Sequence, residues 1–182
     1  MRKGDWIGTY TGKAFYPMDP RPDEVDIEDI AHALSQTCRY AGHTRVPFSV
    51  AQHSVLVSRH VPPEFRLWGL LHDATEAYIC DIPRPLKGHL TNYKYIEDHL
   101  MSVIAKKFGL KGTIPPEVKE VDNRILWDER AAFFKKVPDQ PWDLTAKPLG
   151  IKIHPLPPEE AKAEFLLRYW QYTHEEIKDE VM

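Results

Sequence analysis

Helical spacing of apolar residues, interrupted by prolines, is the feature that most limits what this chain can fold into. Between the prolines, apolar side chains recur three and four positions apart, which places them on one face of an α-helix. The 16 prolines lie mostly between these segments, where they end one helix and precede the next. We therefore predict an all-α fold in which residues 1–182 form a single domain.

Helix-capping residues give the approximate boundaries of the predicted helices. Asp26 suits the N-cap of a first helix that begins at Ile27, and Gly109 suits the left-handed position that ends a later one. The other predicted ranges are about 49–60, 63–79, 91–108, 115–136 and 157–176. Ahead of the helices, residues 6–17 alternate Thr, Tyr and Phe around a Thr-Gly pair, which predicts a short hairpin or an irregular segment.

Composition argues against several classes of partner. The formal net charge is −3, so we expect neither a nucleic-acid polymer nor a membrane surface to be bound. No stretch reaches the roughly 20 apolar residues that a transmembrane helix needs. Cys38 and Cys80 give no disulfide framework, and the polar N-terminal residues lack the apolar region of a secretion signal. These features predict a cytoplasmic protein.

Ionisable side chains on the apolar faces of three predicted helices are the strongest functional signal. His53 lies on the apolar stripe of one helix, His72-Asp73 on the next, and Asp122 on a third. One histidine on an apolar face is usually a satisfied core residue, and a His-Asp pair alone is weak. Burying several unpaired charges is costly, however, and one divalent cation would neutralise all four side chains. Imidazole and carboxylate donors suit Zn, Mn, Fe or Co.

The same residues carry a resemblance to a known superfamily. The stretches SVAQHS, LLHDATEAYICDIPRPLK and EVDNRILWDER resemble the H…HD…D framework of the HD-domain phosphohydrolases. Among these enzymes, the chain is similar to the compact bacterial 5′-deoxynucleotidases. It looks more like the phage dATP triphosphohydrolases of the DatZ type over residues 26–62. The resemblance implies a compact HD-domain helical bundle with its metal site within about residues 39–130.

The resemblance also implies roles for individual residues. The family's metal ligands match His53, His72, Asp73 and Asp122, its catalytic carboxylate matches Glu76, and its acidic residue before the proline loop matches Asp81. Substrate contacts match Arg39 and Lys87, and Tyr40 stands where the nucleotidases have Trp. We add His43 and Arg84 as candidates for lining the substrate pocket. His89 and His99 stand alone between His72 and Asp122, so we expect one divalent transition metal of the Zn, Co or Mn type rather than two.

Three functions remain open at this point. The resemblance favours a dATP triphosphohydrolase, which would release deoxyadenosine and triphosphate and lower the dATP pool during phage infection, so that 2-aminoadenine can replace adenine. Its setting would then be the host cytoplasm. The second possibility is a 5′-deoxynucleotidase acting on dNMPs, and the third is a catalytically silent nucleotide-binding module. Compact HD enzymes are commonly homo-oligomers, so the resemblance also implies a dimer or a hexamer.

Overall fold

Within the described residues the regular secondary structure is mostly helical, with one small hairpin near the N-terminal end. The computed structural model describes residues 2–136, 139 and 146–174. Strands β1 (Ile7–Gly8) and β2 (Ala14–Phe15) pair antiparallel. The helices are α1 (Ile27–Gln36), α2 (Val50–His60), α3 (Arg66–Leu71), α4 (Glu76–Ile79), α5 (Arg84–Lys87), α6 (Tyr93–Phe108), α7 (Pro116–Phe133) and α8 (Pro158–His174). Short 3-10 turns cover Arg39–Gly42 and Pro63–Phe65. The predicted all-α fold and N-terminal hairpin are confirmed.

The helix boundaries follow the capping residues closely. The Asp26 side chain accepts a hydrogen bond from the Glu28 N–H at the start of α1, and Ser49 caps α2 through the Gln52 N–H. Gly109 ends α6 with a left-handed φ of 69°, as predicted. Helix α7 ends at Phe133 rather than near residue 136, and the predicted extension of α8 to 176 lies outside the described residues.

Helix α2 is the centre of the bundle. It packs against α1, α3, α7 and α8, and its side chains contribute to two buried apolar clusters. Gly69 allows α3 to approach α2 closely, because a Cβ at this position would lie 2.9 Å from the Ser58 Cα. This close contact sets the distance between the two helices that carry His53 and lead into His72.

The prediction of one continuous helix over residues 63–79 is wrong. The structure divides it into a 3-10 turn, α3 and α4, with turn residues from His72 to Thr75. In this break the Ala74 N–H bonds to the Leu71 carbonyl and the Glu76 N–H to the Asp73 carbonyl, three residues back rather than four. The tighter winding lets the adjacent residues His72 and Asp73 both reach the same buried cluster. Helix α5 was also not predicted.

None of the helices in the described ranges is both long and apolar enough to cross a membrane. Cys38 and Cys80 are both free thiols, which agrees with the expectation that no disulfide framework exists.

Candidate metal centre

Two buried imidazoles face each other between α2 and the turn after α3. The Nε2 atoms of His53 and His72 lie 3.3 Å apart. His72 Nδ1 donates to the Gly69 carbonyl at 2.8 Å, and His53 Nδ1 lies 2.6 Å from Glu129 Oε1. A carbonyl and an ionised carboxylate can only accept, so both Nδ1 atoms carry the hydrogen in the neutral rings. Both Nε2 lone pairs therefore point at the same place.

Two carboxylates complete this cluster. Asp122 Oδ1 lies 3.2 Å from His53 Nε2, and Asp73 Oδ2 lies 3.3 Å from His72 Nε2 and 3.6 Å from His53 Nε2. Ligand bonds of about 2.0–2.1 Å in a tetrahedral site place neighbouring donors about 3.3–3.4 Å apart. The measured separations are close to that spacing. The His53, His72 and Asp122 cluster could therefore hold a metal ion.

The electrostatics of the cluster favour a cation. Burial alone would lower the pKa of His72, but the Asp73 carboxylate opposes this and raises it to about 9. Burial would likewise raise the pKa of Asp73, yet His72 and His53 hold it below its ordinary value. With a pKa of about 9, His72 is protonated at neutral pH in the metal-free protein, and its charge compensates the Asp73 carboxylate. A divalent cation would supply the same compensation without the proton.

Glu129 is a residue of this site that the sequence interpretation missed. Its side chain is fully buried on α7. Oε1 accepts from His53, and Oε2 accepts from the Arg39 guanidinium and the Tyr40 hydroxyl. Burial would raise its pKa, but the charges of Arg39 and His53 keep it below its ordinary value. Glu129 lies two helical turns after Asp122, so a search for further polar residues on that face of α7 would have found it.

The candidate catalytic carboxylates lie beside the cluster. Glu76 is buried in α4, and within the described part of the chain its Oε2 has no hydrogen-bond partner. Burial and the neighbouring charges of Asp73 and Asp81 raise the pKa of Glu76 well above its ordinary value. Burial also raises the pKa of the half-buried Asp81. Both carboxyls can therefore carry a proton at a pH where an exposed carboxyl has lost it.

A cavity of about 230 Å³ opens onto the metal cluster. Its polar wall includes His72, Asp73 and Asp122, together with Lys87 and Lys119. Met101, Ile114 and Val118 form its apolar part. Glu97 and Asp98 also line it. The cavity thus places cationic, acidic and apolar side chains next to the candidate metal ligands, and an anionic molecule bound there would pair with Lys87 and Lys119.

Lys87 is close to the site but is not free. Its Nζ lies 2.9 Å from Glu97 Oε1 and 3.6 Å from Glu76 Oε1. Burial would lower the pKa of Lys87, but the hydrogen bond to Glu97 raises it, so the ammonium is charged. Lys87 therefore lines the cavity beside the candidate metal ligands, but two carboxylates already neutralise the charge that the sequence interpretation assigned to a phosphate.

The other predicted substrate residues divide into three groups. Arg39 and Tyr40 contact Glu129, and Arg39 Nη1 also lies 3.6 Å from Asp73 Oδ2. Arg84 is exposed, with Nη1 3.0 Å from Asn123 Oδ1 and Nη2 3.7 Å from Asp122 Oδ2. His43 is exposed and, like Arg39, Tyr40 and Arg84, is not among the residues that line the cavity.

Strained backbone flanks the cluster on two sides. Tyr40 and Ala41 have φ of 57° and 50°, and Cys80, directly before Asp81, has φ of 65°. Residues other than glycine adopt this left-handed region at a cost of about 1–2 kcal/mol each, and such strain is concentrated at functional sites. The strain therefore agrees with a functional assignment of this region.

Comparison with known proteins yields two uncharacterized relatives, and no family model matches the chain. YfdR from Escherichia coli (strain K12) is 47% identical over 125 residues, which cover 69% of this chain and 70% of YfdR. A protein from Rhodobacter capsulatus is 30% identical over 188 aligned positions, which cover 92% of this chain and 95% of that protein. The similarity thus extends well beyond the segment that carries the candidate metal centre.

Proposed function

The chain belongs to the family that includes YfdR of Escherichia coli, and we propose that it is a metal-dependent phosphohydrolase that acts on deoxynucleotides. The observation that carries the proposal is the set of donor separations around His53, from 3.2 to 3.6 Å, which match those of ligands that share one ion. The cavity with Lys87 beside this set supports an anionic substrate. The resemblance to HD-domain phosphohydrolases supplies the reaction class.

The donor set fits one transition metal of the Zn, Co or Mn type. His53, His72, Asp73 and Asp122 would hold the ion, because two imidazoles and two carboxylates suit such metals better than Ca²⁺. When bound, the ion would neutralise phosphoryl oxygens and acidify water. The partial exposure of Asp73 and Asp122, with side chains 21% and 23% exposed, supports access from the cavity.

The chain's own residues would position the substrate and move protons. Glu76, whose raised pKa keeps it protonated at a higher pH than an exposed glutamate, would donate a proton to the leaving 5′-oxygen, with Asp81 as the second candidate. Lys87 would contact a phosphoryl oxygen by exchanging one of its carboxylate partners for the substrate. Arg39 would hold its positive charge beside Asp73.

The specific substrate that we propose is dATP, with deoxyadenosine and triphosphate as products. It rests on the resemblance of residues 26–62 to phage dATP triphosphohydrolases. One observation favours 5′-deoxynucleotidase activity as a second candidate. Lys87 and Arg84 are each paired with carboxylates, so their charges are already partly compensated and are less available for the several negative charges of a triphosphate. A monophosphate requires less compensation.

A substrate panel tests the proposal. The metal content of the purified protein is measured first, and all dNTPs and dNMPs are then incubated with it and their products resolved by chromatography. Triphosphate released from dATP supports the dATP triphosphohydrolase, and orthophosphate released from dNMPs supports the 5′-deoxynucleotidase. Metal binding with no product from either panel would refute the phosphohydrolase and leave a binding module. An Asp73→Asn variant controls for contaminating phosphatases, because its product formation should fall to background.

A further inference from the structure

Glu129 connects the metal cluster to the turn that carries Arg39 and Tyr40. One carboxylate oxygen accepts from His53 Nδ1 at 2.6 Å, and the other accepts from Arg39 Nε at 3.3 Å and from the Tyr40 hydroxyl. The carboxylate is fully buried, as is the His53 ring. Both carboxylate oxygens therefore accept hydrogen bonds. Oε1 accepts from a candidate metal ligand, and Oε2 accepts from two residues of the turn.

The turn on the far side of Glu129 does not adopt a relaxed backbone. Tyr40, Ala41 and Gly42 are consecutive left-handed residues, with φ of 57°, 50° and 76°. Only Gly42 adopts such a conformation at little cost. A strained backbone persists only where surrounding contacts hold it. The two hydrogen bonds to Glu129 Oε2, with the backbone bond from the Arg39 N–H to the Phe48 carbonyl at 2.9 Å, are contacts of this kind.

We propose that Glu129 is a positioning residue that orients His53 as a metal ligand and at the same time holds the Arg39–Gly42 turn against the site. The inference rests on the metal site of the proposed function and is independent of its substrate. By accepting from Nδ1, Glu129 keeps the His53 hydrogen on that atom and leaves Nε2 available for the ion. By accepting from Arg39 and Tyr40, it fixes the two residues next to the cluster.

Only a carboxylate can make all of these contacts. In Glu129→Gln, a single oxygen remains, and the amide NH₂ must face either His53 or Arg39. An NH₂ that faces His53 favours the tautomer with hydrogen on Nε2, which cannot bind metal. An NH₂ that faces Arg39 leaves a guanidinium without its carboxylate partner near the ion. Metal affinity falls in both orientations, so the prediction does not depend on which one forms.

The test compares Zn²⁺ affinity in the wild type, Glu129→Gln and Glu120→Gln, by competition with a chromophoric chelator. Glu120 is a matched control, because it lies on the same helix in an exposed pair with Arg124. We expect Glu129→Gln to bind zinc about 10- to 100-fold more weakly, the usual effect of losing such a partner, and Glu120→Gln to bind like the wild type. Imidazole nitrogen NMR of the zinc-loaded proteins should show the His53 Nδ1 hydrogen in the wild type and the control, and its signal shifted or lost in Glu129→Gln.

The possible results separate this inference from the proposed function. A wild-type protein that binds no zinc or manganese would refute the metal site and the inference together. A wild type that binds zinc beside an equally tight Glu129→Gln would refute the inference alone. If Glu129→Gln does not fold, Glu129→Asp replaces it, because the shorter carboxylate keeps the charge but cannot span His53 and Arg39. A folded Glu129→Asp with wild-type zinc affinity and unchanged amide exchange in residues 39–43 would overturn the inference.

Discussion

The two sides of the site are built differently. The metal floor, formed by His53, His72, Asp73, Asp122 and Glu129, lies on the central helices and the turn after α3, and its members contact one another directly. The cation rim, formed by Arg84, Lys87 and Lys119, lies on the short helix α5 and near the start of α7. Its side chains are exposed or half-buried, and Arg84 and Lys87 are paired with acidic residues.

This difference indicates that the metal floor and the cation rim have different roles. A buried floor with mutual contacts is rigid and can hold an ion in fixed geometry. With the proposed function, a rim of long side chains with replaceable partners would exchange a carboxylate for a phosphate of the substrate. We therefore expect substitutions in the floor to abolish function and substitutions in the rim to reduce it by degrees.

The largest effect should come from His72→Ala. The substitution removes one Nε2 donor from the floor and leaves the Asp73 carboxylate without its nearest imidazole. We expect no stoichiometric metal by elemental analysis and hydrolysis reduced to background. Full activity with one bound metal per chain would show that the floor is not the metal site.

Glu76→Gln should separate metal binding from turnover. Glu76 lies beside the floor, and its neutral isostere cannot transfer a proton. We expect wild-type metal content with kcat reduced by about 10²- to 10⁴-fold. Loss of the metal in this variant would instead make Glu76 a ligand and extend the floor to a fifth donor.

Lys87→Ala should have an intermediate effect, which measures how much the cation rim contributes to kcat/KM. Removing the ammonium should cost about 2 to 4 kcal/mol in kcat/KM, the range for a charged contact to the transition state. A larger loss on dATP than on dAMP would place Lys87 at the outer phosphates, and equal losses would place it at the α-phosphate. No loss on either substrate would remove Lys87 from the site.

The pH dependence of metal affinity should show a smaller effect. It tests whether the ion displaces a proton from the metal floor. Because the neighbouring Asp73 raises the pKa of His72 to about 9, the metal-free protein holds a proton there at neutral pH. The ion must displace this proton, so affinity should rise with pH, by about tenfold for each unit between pH 7 and pH 9. Calorimetry in two buffers of different ionisation enthalpy would count the released protons. Binding at pH 7.5 without proton release would contradict the assignment.

Arg84→Ala should have the smallest effect. Its side chain is 62% exposed and lies 3.7 Å from Asp122 Oδ2, and exposed ion pairs contribute about 0–1 kcal/mol. We expect kcat/KM to change by less than about fivefold, measured beside Lys87→Ala on the same substrate. A loss as large as that of Lys87→Ala would show that both rim cations hold the substrate directly.

The floor was more predictable from the sequence than the rim for a physical reason. His53 and Asp122 lie on α2 and α7 and His72 directly follows α3, so the period of each helix indicates which way these side chains face without knowledge of its neighbours. The caps at Asp26 and Gly109 are local features of the same kind. The position of His43 depends on loop geometry, which leaves no periodic signal, and its side chain is exposed.

The features that the sequence did not reveal depend on contacts between distant segments. The tightening between His72 and Thr75 places two adjacent residues in one cluster, which an α-helical period cannot predict. The left-handed backbone at Tyr40 and Ala41 occurs at residues other than glycine, and it is held by Glu129, about 90 residues further along the chain. The pairing of Lys87 with Glu97 likewise requires the packing of α5 against α6.

A crystal structure grown with Mn²⁺, Co²⁺ or Zn²⁺ and measured at the metal's absorption edge would test the central claim most directly. We expect one strong anomalous peak per chain, about 2.0–2.2 Å from His53 Nε2, His72 Nε2 and carboxylate oxygens of Asp73 and Asp122. Helices α2, α3 and α7 should keep their positions, because the other three donors already lie 3.2 to 3.6 Å from His53 Nε2. Anomalous density only elsewhere, with an empty space between the two imidazoles, would contradict the account.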